Sequence, residues 1–438
     1  MRTMRNGQWT GRVRVAAAGL AAVGTVFAAG RAVAIGEDMP TTWHRLAREA
    51  RAAYDAKDYP RCAAGFRAML QAVPEQPDLI YSLACAEALS GHKDAALGLL
   101  EQFVGMGLMR DFAADSDLAS LLKEPRFVAL EQRMQRLGET PIRKSTAVAT
   151  LRDADMIAED VAYDPGSRSF FVSSVRRGKI VCIGSDGVES DFLPPGAERV
   201  WSVFALQVDT KRGCLWATTA GTKECDRYAK GDELHAALLR LDLTTGKIRQ
   251  RFDLPEDGKP HVLGDMTCDD AGDVFVTDSI GGGLYELSAG GSALETIAPP
   301  GTFLSSQTPA MAGQAEVWVP DYVLGIARVD LRTKAVTWIP RSPTGVDGMY
   351  RSGDVLFAVQ NGYTPCRILR YGVRGTRLSK PTVVERSSEG YLGQPTHGVH
   401  DGKWFYFLAD TGWDRVKGDG SMGPAVAGRG PSIRRMAR

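Results

Sequence analysis

Asp265-Met-Thr-Cys-Asp-Asp-Ala-Gly-Asp-Val-Phe-Val-Thr-Asp278 runs from an apolar stretch ending at Asp, through a tight polar turn, into a β-branched and aromatic stretch ending at Asp. That is the signature of strand, turn and strand. The same phrase recurs as Asp160-Val-Ala-Tyr-Asp164 with Phe171-Val-Ser-Ser174, and as Ala205-Leu-Gln-Val-Asp209 with Trp216-Ala-Thr-Thr219. It recurs again as Thr308-Pro-Ala-Met311 with Trp318-Val-Pro-Asp321, Gly348-Met-Tyr350 with Phe357-Ala-Val-Gln360, and Gly398-Val-His400 with Phe407-Leu-Ala-Asp410. Copies spaced by roughly 40 to 60 residues leave room for four short strands each, as the blades of a propeller require. Six copies therefore predict a six-bladed β-propeller over residues 144–414. The last copy runs out near Trp413 before its own outer strand. Thr146-Ala-Val-Ala-Thr-Leu151, ahead of the first copy, can supply that strand and close the ring, which removes the open sheet edges.

Working outward, residues 415–438 are rich in Gly, Arg and Ser and read as a disordered tail. Upstream, residues 41–138 switch to helical period, with breaks at Tyr59-Pro60, Pro74 and Ser90-Gly91. This segment resembles tetratricopeptide repeats: Ala50, Tyr59, Phe66 and Pro74 in one copy and Ala84, Gly91 and Ala96 in the next fall in the family's order. The fold class expected is thus an all-α tetratricopeptide-like module followed by an all-β propeller. The module's surface reads either as a docking site for a protein partner or as a spacer or lid for the propeller.

At the start, Arg2, Arg5, Arg12 and Arg14 precede a nearly uncharged Ala- and Gly-rich run, then Ala32-Val33-Ala34. This predicts a signal peptide over 1–34, cleaved after Ala34, and a periplasmic or secreted protein with no membrane span after cleavage. The chain of 438 residues carries 53 basic against 52 acidic side chains, which gives no electrostatic case for nucleic acid or an anionic membrane. Seven cysteines show no zinc-like spacing. Cys62 with Cys85 and Cys214 with Cys225 are spaced to form disulfides; the other reading is that the cysteines are small buried apolar residues.

From Thr146 to Trp413 the strands resemble the senescence-marker-protein/gluconolactonase family, which includes luciferin-regenerating-enzyme-like propellers, most clearly in Ala158-Glu-Asp-Val-Ala-Tyr-Asp164, Gly272-Asp-Val-Phe-Val-Thr-Asp278 and Val346-Asp-Gly-Met349. In that family the residue before each innermost strand faces the central channel. Here those positions are Glu159, Phe204, Gly264, Gln307, Asp347 and His397. The resemblance implies a divalent cation, calcium first, or magnesium, manganese or zinc, on Glu159, Gln307 and Asp347. Gln307 stands where the family has Asn, and Gly264 replaces an Asn that faces substrate. Two carboxylates and an amide oxygen are hard donors suited to such an ion. An ion there would polarise a lactone or small ester, with Asp347 or His397 as the catalytic residue moving a proton. The alternative is a non-catalytic binding or scaffold protein. Convergence of Glu159, Gln307 and Asp347 on one point favours the hydrolase; a channel plugged by Phe204 or covered by the helices favours the scaffold.

Overall fold

The computed structural model describes residues 39–375, 377–387 and 391–438. The signal peptide expected over 1–34 lies outside them. No helix among the described residues is long and apolar enough to cross a membrane.

Five α-helices come first: α1 (Met39–Asp55), α2 (Tyr59–Ala72), α3 (Pro77–Leu89), α4 (Lys93–Gly105) and α5 (Pro125–Glu139). Pro60, Pro77 and Pro125 stand in the opening turns of α2, α3 and α5, where a missing N–H costs nothing. The Asp58 and Gln76 side chains cap α2 and α3 by accepting from Arg61 N at 3.2 Å and Leu79 N at 2.6 Å. Gly65 lets α2 approach α1 closely, since a Cβ there would sit 3.1 Å from that of Ala50. The helical core runs through stacked and edge-on rings, with Phe112 lying 5.6 Å from Tyr81, 5.8 Å from Phe103 and 6.2 Å from Phe127.

Six antiparallel sheets follow, arranged as a six-bladed β-propeller. Within each of the first five blades the strands lie in chain order from the inside out. Four of the six second strands are buried along their whole length, because neighbouring blades pack on both faces. Phe357 of the fifth blade, for instance, stacks on Phe405 of the sixth at 4.6 Å. The innermost strand of the fourth blade shrinks to Ala310–Met311, directly after Pro309, which cannot donate to a ladder.

The sixth blade closes the ring with both ends of the chain, in the order Gly398–His400, Trp404–Ala409, Ser432–Ala437 and Thr146–Thr150. Thr146–Thr150 is the outer strand, in the place expected for it. The disordered tail expected over 415–438 is corrected: Ser432–Ala437 pairs with Trp404–Ala409 on one side and with Thr146–Thr150 on the other. Ile433 and Met436 are buried in that strand, and their apolar contacts hold it in the blade. The propeller therefore runs to the end of the described chain rather than to residue 414. Of the two readings of the cysteines, the structure has the unpaired one: all seven are free, and Cys62, Cys85, Cys214 and Cys225 are buried.

The helices pack on one end of the ring, over blades four and five. Met39, Ala72 and Val73 share a core with Leu324, while Tyr363 enters the helical core itself. Met109 N donates to Thr364 O at 2.7 Å, Arg367 Nη1 to Met106 O at 2.7 Å, and Arg386 N to Ile142 O at 3.0 Å. Leu324, Tyr363 and Thr364 lie in loops between second and third strands. In an antiparallel blade such loops are at the end where the innermost strand begins.

Candidate functional site

Four of the six positions expected to face the channel fall at irregularities of the innermost strands. The pairing of inner with second strand slips between Ala158 and Val161, Val203 and Leu206, Leu263 and Asp265, and Val346 and Gly348. These slips bracket Glu159, Phe204, Gly264 and Asp347. A bulge places two residues opposite one and re-aims a side chain, so the neighbouring residue can also turn toward the axis. That is how Asp160 and Asp265 enter the site.

His397 is the hub. Its Nδ1 lies 2.9 Å from Glu159 O, and its Nε2 lies 2.6 Å from Asp265 Oδ1. Asp265 belongs to the third blade and His397 to the sixth, so this contact crosses the channel axis. The Nε2 contact is close but poorly aligned for a hydrogen bond, which makes it chiefly an ion pair. Burial alone would lower the His397 pKa; the charges of Asp265, Asp347 and Asp160 outweigh it and hold the pKa well above the usual range. A carbonyl oxygen at Nδ1 and a carboxylate beside Nε2 both favour the protonated ring.

The carboxylates around it are tied to neighbouring blades. Asp160 Oδ2 accepts from Leu206 N at 2.7 Å, and burial raises its carboxyl to about 7 against the opposing pull of His397. Asp265 Oδ1 also accepts from Thr308 Oγ1 at 2.7 Å. Asp347 accepts from Asn361 Nδ2, and Asn361 Oδ1 in turn accepts from Tyr322 O–H at 2.9 Å. Burial, followed by the charges of Asp160 and Asp265, pushes the Tyr350 phenol well above its ordinary pKa; its oxygen accepts from Gly398 N at 2.8 Å.

Glu159, Gln307 and Asp347 do sit at one end of the ring. Glu159 accepts from Trp413 Nε1–H, Asp347 from Asn361, and Gln307 turns its amide nitrogen back to Ser305 Oγ at 3.0 Å. Each of the three thus has a protein partner for one of its polar atoms, and the His397 side chain lies at the same end of the ring. A Cβ at Gly264 would lie 2.1 Å from Ser279 Oγ, so a larger residue there would require the serine hydroxyl to turn away. Among the described residues, Cys85, Asp115 and Asp117 form the one set of His, Cys, Asp or Glu groups compact enough for a metal. The Tyr54 and Tyr81 hydroxyls already donate to Asp117 and Asp115, and burial raises the Cys85 thiol.

The mouth is covered from two sides. Trp413, Val416 and Met422, on the loop between the second and third strands of the sixth blade, pack against the cluster that contains Phe204, Ile157 and Leu263. The polar second-blade insertion, Lys223 to His235, meets this loop where Lys223 Nζ donates to Gly418 O at 2.6 Å. The helices occupy the same end over blades four and five. Glu159, Asp160, Asp265, Gln307, Asp347 and His397 are all buried beneath this cover. Asp160, Asp265, Thr308, Asn361 and Trp413 were not among the site residues expected from the sequence. Asp160, Asp265 and Thr308 each follow a predicted channel position by one residue, which is the signal a bulge would leave.

No family model matches the chain, and no curated protein matches it. Solved structures similar to it include a gluconolactonase from Xanthomonas campestris, at 13% identity over 68% of this chain and 97% of that one, with a TM-score of 0.44. A catalytically inactive virginiamycin B lyase from Staphylococcus aureus, bound to quinupristin, matches at 13% identity over 67% of this chain and 99% of that one, with a TM-score of 0.45. A luciferin-regenerating enzyme matches at 11% identity over 68% and 95%, also at 0.45.

Proposed function

We propose that this protein is an exported, non-catalytic binding protein, with the propeller as a locked platform and the helical module as the surface for a protein partner. The observation that carries this reading is the His397–Asp265 pair, which spans the axis beneath the Trp413 cover and leaves the channel without an open reaction site. Buried charges that are fully compensated hold blades together; a catalytic group needs access to substrate. The helices support the same reading, because they are anchored on blades four and five at the end of the ring where the innermost strands begin.

A metal-dependent lactone or ester hydrolase is the second reading. It is favoured by the oxygen donors of Glu159, Gln307 and Asp347 at one end of the ring, and by the Asp160 carboxyl near neutrality beside them. In that reading the Trp413 loop must lift and His397 must leave Asp265 before substrate enters.

Calorimetric titration of calcium and manganese into the mature protein, with a parallel screen for gluconolactone hydrolysis, separates the two. The expected result is no metal binding and no hydrolysis beyond that of Asp347→Ala. Metal-dependent turnover that vanishes in Asp347→Ala would overturn the binding-protein reading. Export is tested by the N-terminus of the mature chain, expected at Ile35; an intact Met1 in protein recovered from an exporting host would refute it.

A further inference from the structure

A cavity of about 280 Å³ lies where α4 and α5 meet the outer strand of the fifth blade, and Arg133, Arg136 and Arg386 all line it. Among the described residues, no carboxylate lies within ion-pair distance of any of the three. Elsewhere in the helical module the pattern is the opposite: Arg126 pairs with Asp94 and Glu101, Arg110 with Asp78, and Arg67 with Glu87. Arg133 and Arg136 are three residues apart on α5, so they project from one face of the helix.

Arg386 has one structural task, which is to donate from Nη2 to Thr140 O at the end of α5. Capping a helix C-terminus is an ordinary use of arginine, and it accounts for that one donor. It does not account for Nε, which is buried and has no hydrogen-bond partner. A buried N–H without an acceptor is costly, and a planar guanidinium presents its donors as a fork matched to carboxylate or phosphate. Burial depresses the Arg386 pKa with no neighbouring acid to oppose it. The remaining wall is small or apolar: Gly105 and Gly107 expose backbone, and Val104 and Leu137 supply hydrocarbon.

We propose that this cavity binds a small organic anion, a carboxylate or a phosphate, through Arg133, Arg136 and Arg386. The volume falls just below the range of drug-sized pockets, which limits the ligand to a compact molecule. Two arginines come from α5 and one from the propeller, so the bound anion bridges the two parts of the chain. This site is separate from the channel and stands whichever reading of the channel holds.

Calorimetric titration of the full mature chain with citrate and with inorganic pyrophosphate, at low salt, tests the proposal. Saturable binding of one equivalent is expected from at least one probe. A citrate-only response identifies a carboxylate site, a pyrophosphate-only response a phosphate site, and both support the proposal. Arg133→Ala combined with Arg136→Ala should weaken binding by about tenfold or more, while the melting temperature without ligand stays unchanged. Arg136→Lys should bind at an intermediate level, because charge remains while the fork is lost. The proposal is overturned if neither probe binds, or if the double variant, folded by its melting curve, binds as tightly as the parent.

Discussion

At the channel mouth, the His397 imidazolium faces Asp265 across the axis with Asp160 and Asp347 nearby, and every charge has a counter-charge or a donor. At the joint between α5 and the fifth blade, three guanidinium groups share a cavity with no carboxylate among the described residues. Both places draw residues from different parts of the chain, yet they differ in what is left over. The mouth is closed and complete, so its charges act on blade geometry. The joint is open and incomplete, so its charges are available to something from solution. Charge compensation, rather than the mere presence of ionisable groups, separates a structural cluster from a binding site.

The largest test of that contrast is removal of the hub. His397→Ala leaves Asp265 buried without its cation, and breaking one partner of a buried pair costs about 3–5 kcal/mol. Urea denaturation should show this loss, with no comparable loss for either arginine of α5. Calcium should then stabilise His397→Ala, whose carboxylates are unbalanced, and leave the parent's midpoint where it was. If calcium raises the parent's midpoint equally, the mouth is a metal site and the contrast fails.

A smaller effect comes from a second compensated histidine at the same end of the ring. His261 Nδ1 lies 2.5 Å from Asp278 Oδ2, and its Nε2 lies 3.0 Å from Asp257 Oδ1. The hydrogen bond to Asp278, opposed by burial and helped by Asp257, pushes its pKa up from 6.5 to about 9. The folded value exceeds the unfolded one, so the stabilisation is complete below pH 6.5 and is lost as pH rises through 9. Thermal melts from pH 6 to 10 should therefore fall more steeply for the parent than for His261→Gln. Parallel curves would mean that this pair adds nothing to stability.

How much of this was readable follows from what each feature depends on. The blades depend on local strand, turn and strand signals, so six copies and the closing strand Thr146–Thr150 were legible. Ser432-Ile-Arg-Arg-Met-Ala437 was missed because only Ile433 and Met436 face the core, and a long Gly- and Arg-rich loop separates the strand from its partner Trp404–Ala409. Glu159, Asp347 and His397 were placed at the correct end of the ring because their positions repeat. Asp265 was not expected at the axis, because a bulge shifts which residue of the pair meets it and leaves almost no local mark. The meeting of Arg133 and Arg136 with Arg386 was beyond reach, since it depends on how the helices dock on the fifth blade.

The smallest effect on stability is also the most direct probe of the joint. Arg133 is exposed on α5 and has no ion pair among the described residues, so its truncation removes no internal contact that a folded chain needs. Arg133→Ala should change unfolding free energy by less than about 0.5 kcal/mol, the ordinary range for a surface substitution. In the presence of saturating anion the parent should gain more melting temperature than Arg133→Ala, because a ligand that binds only the folded chain stabilises it by mass action in proportion to its affinity. An Arg133→Ala melt that drops without ligand would assign this arginine to the fold, and the distinction between a completed charge cluster and a waiting one would then lose its clearest case.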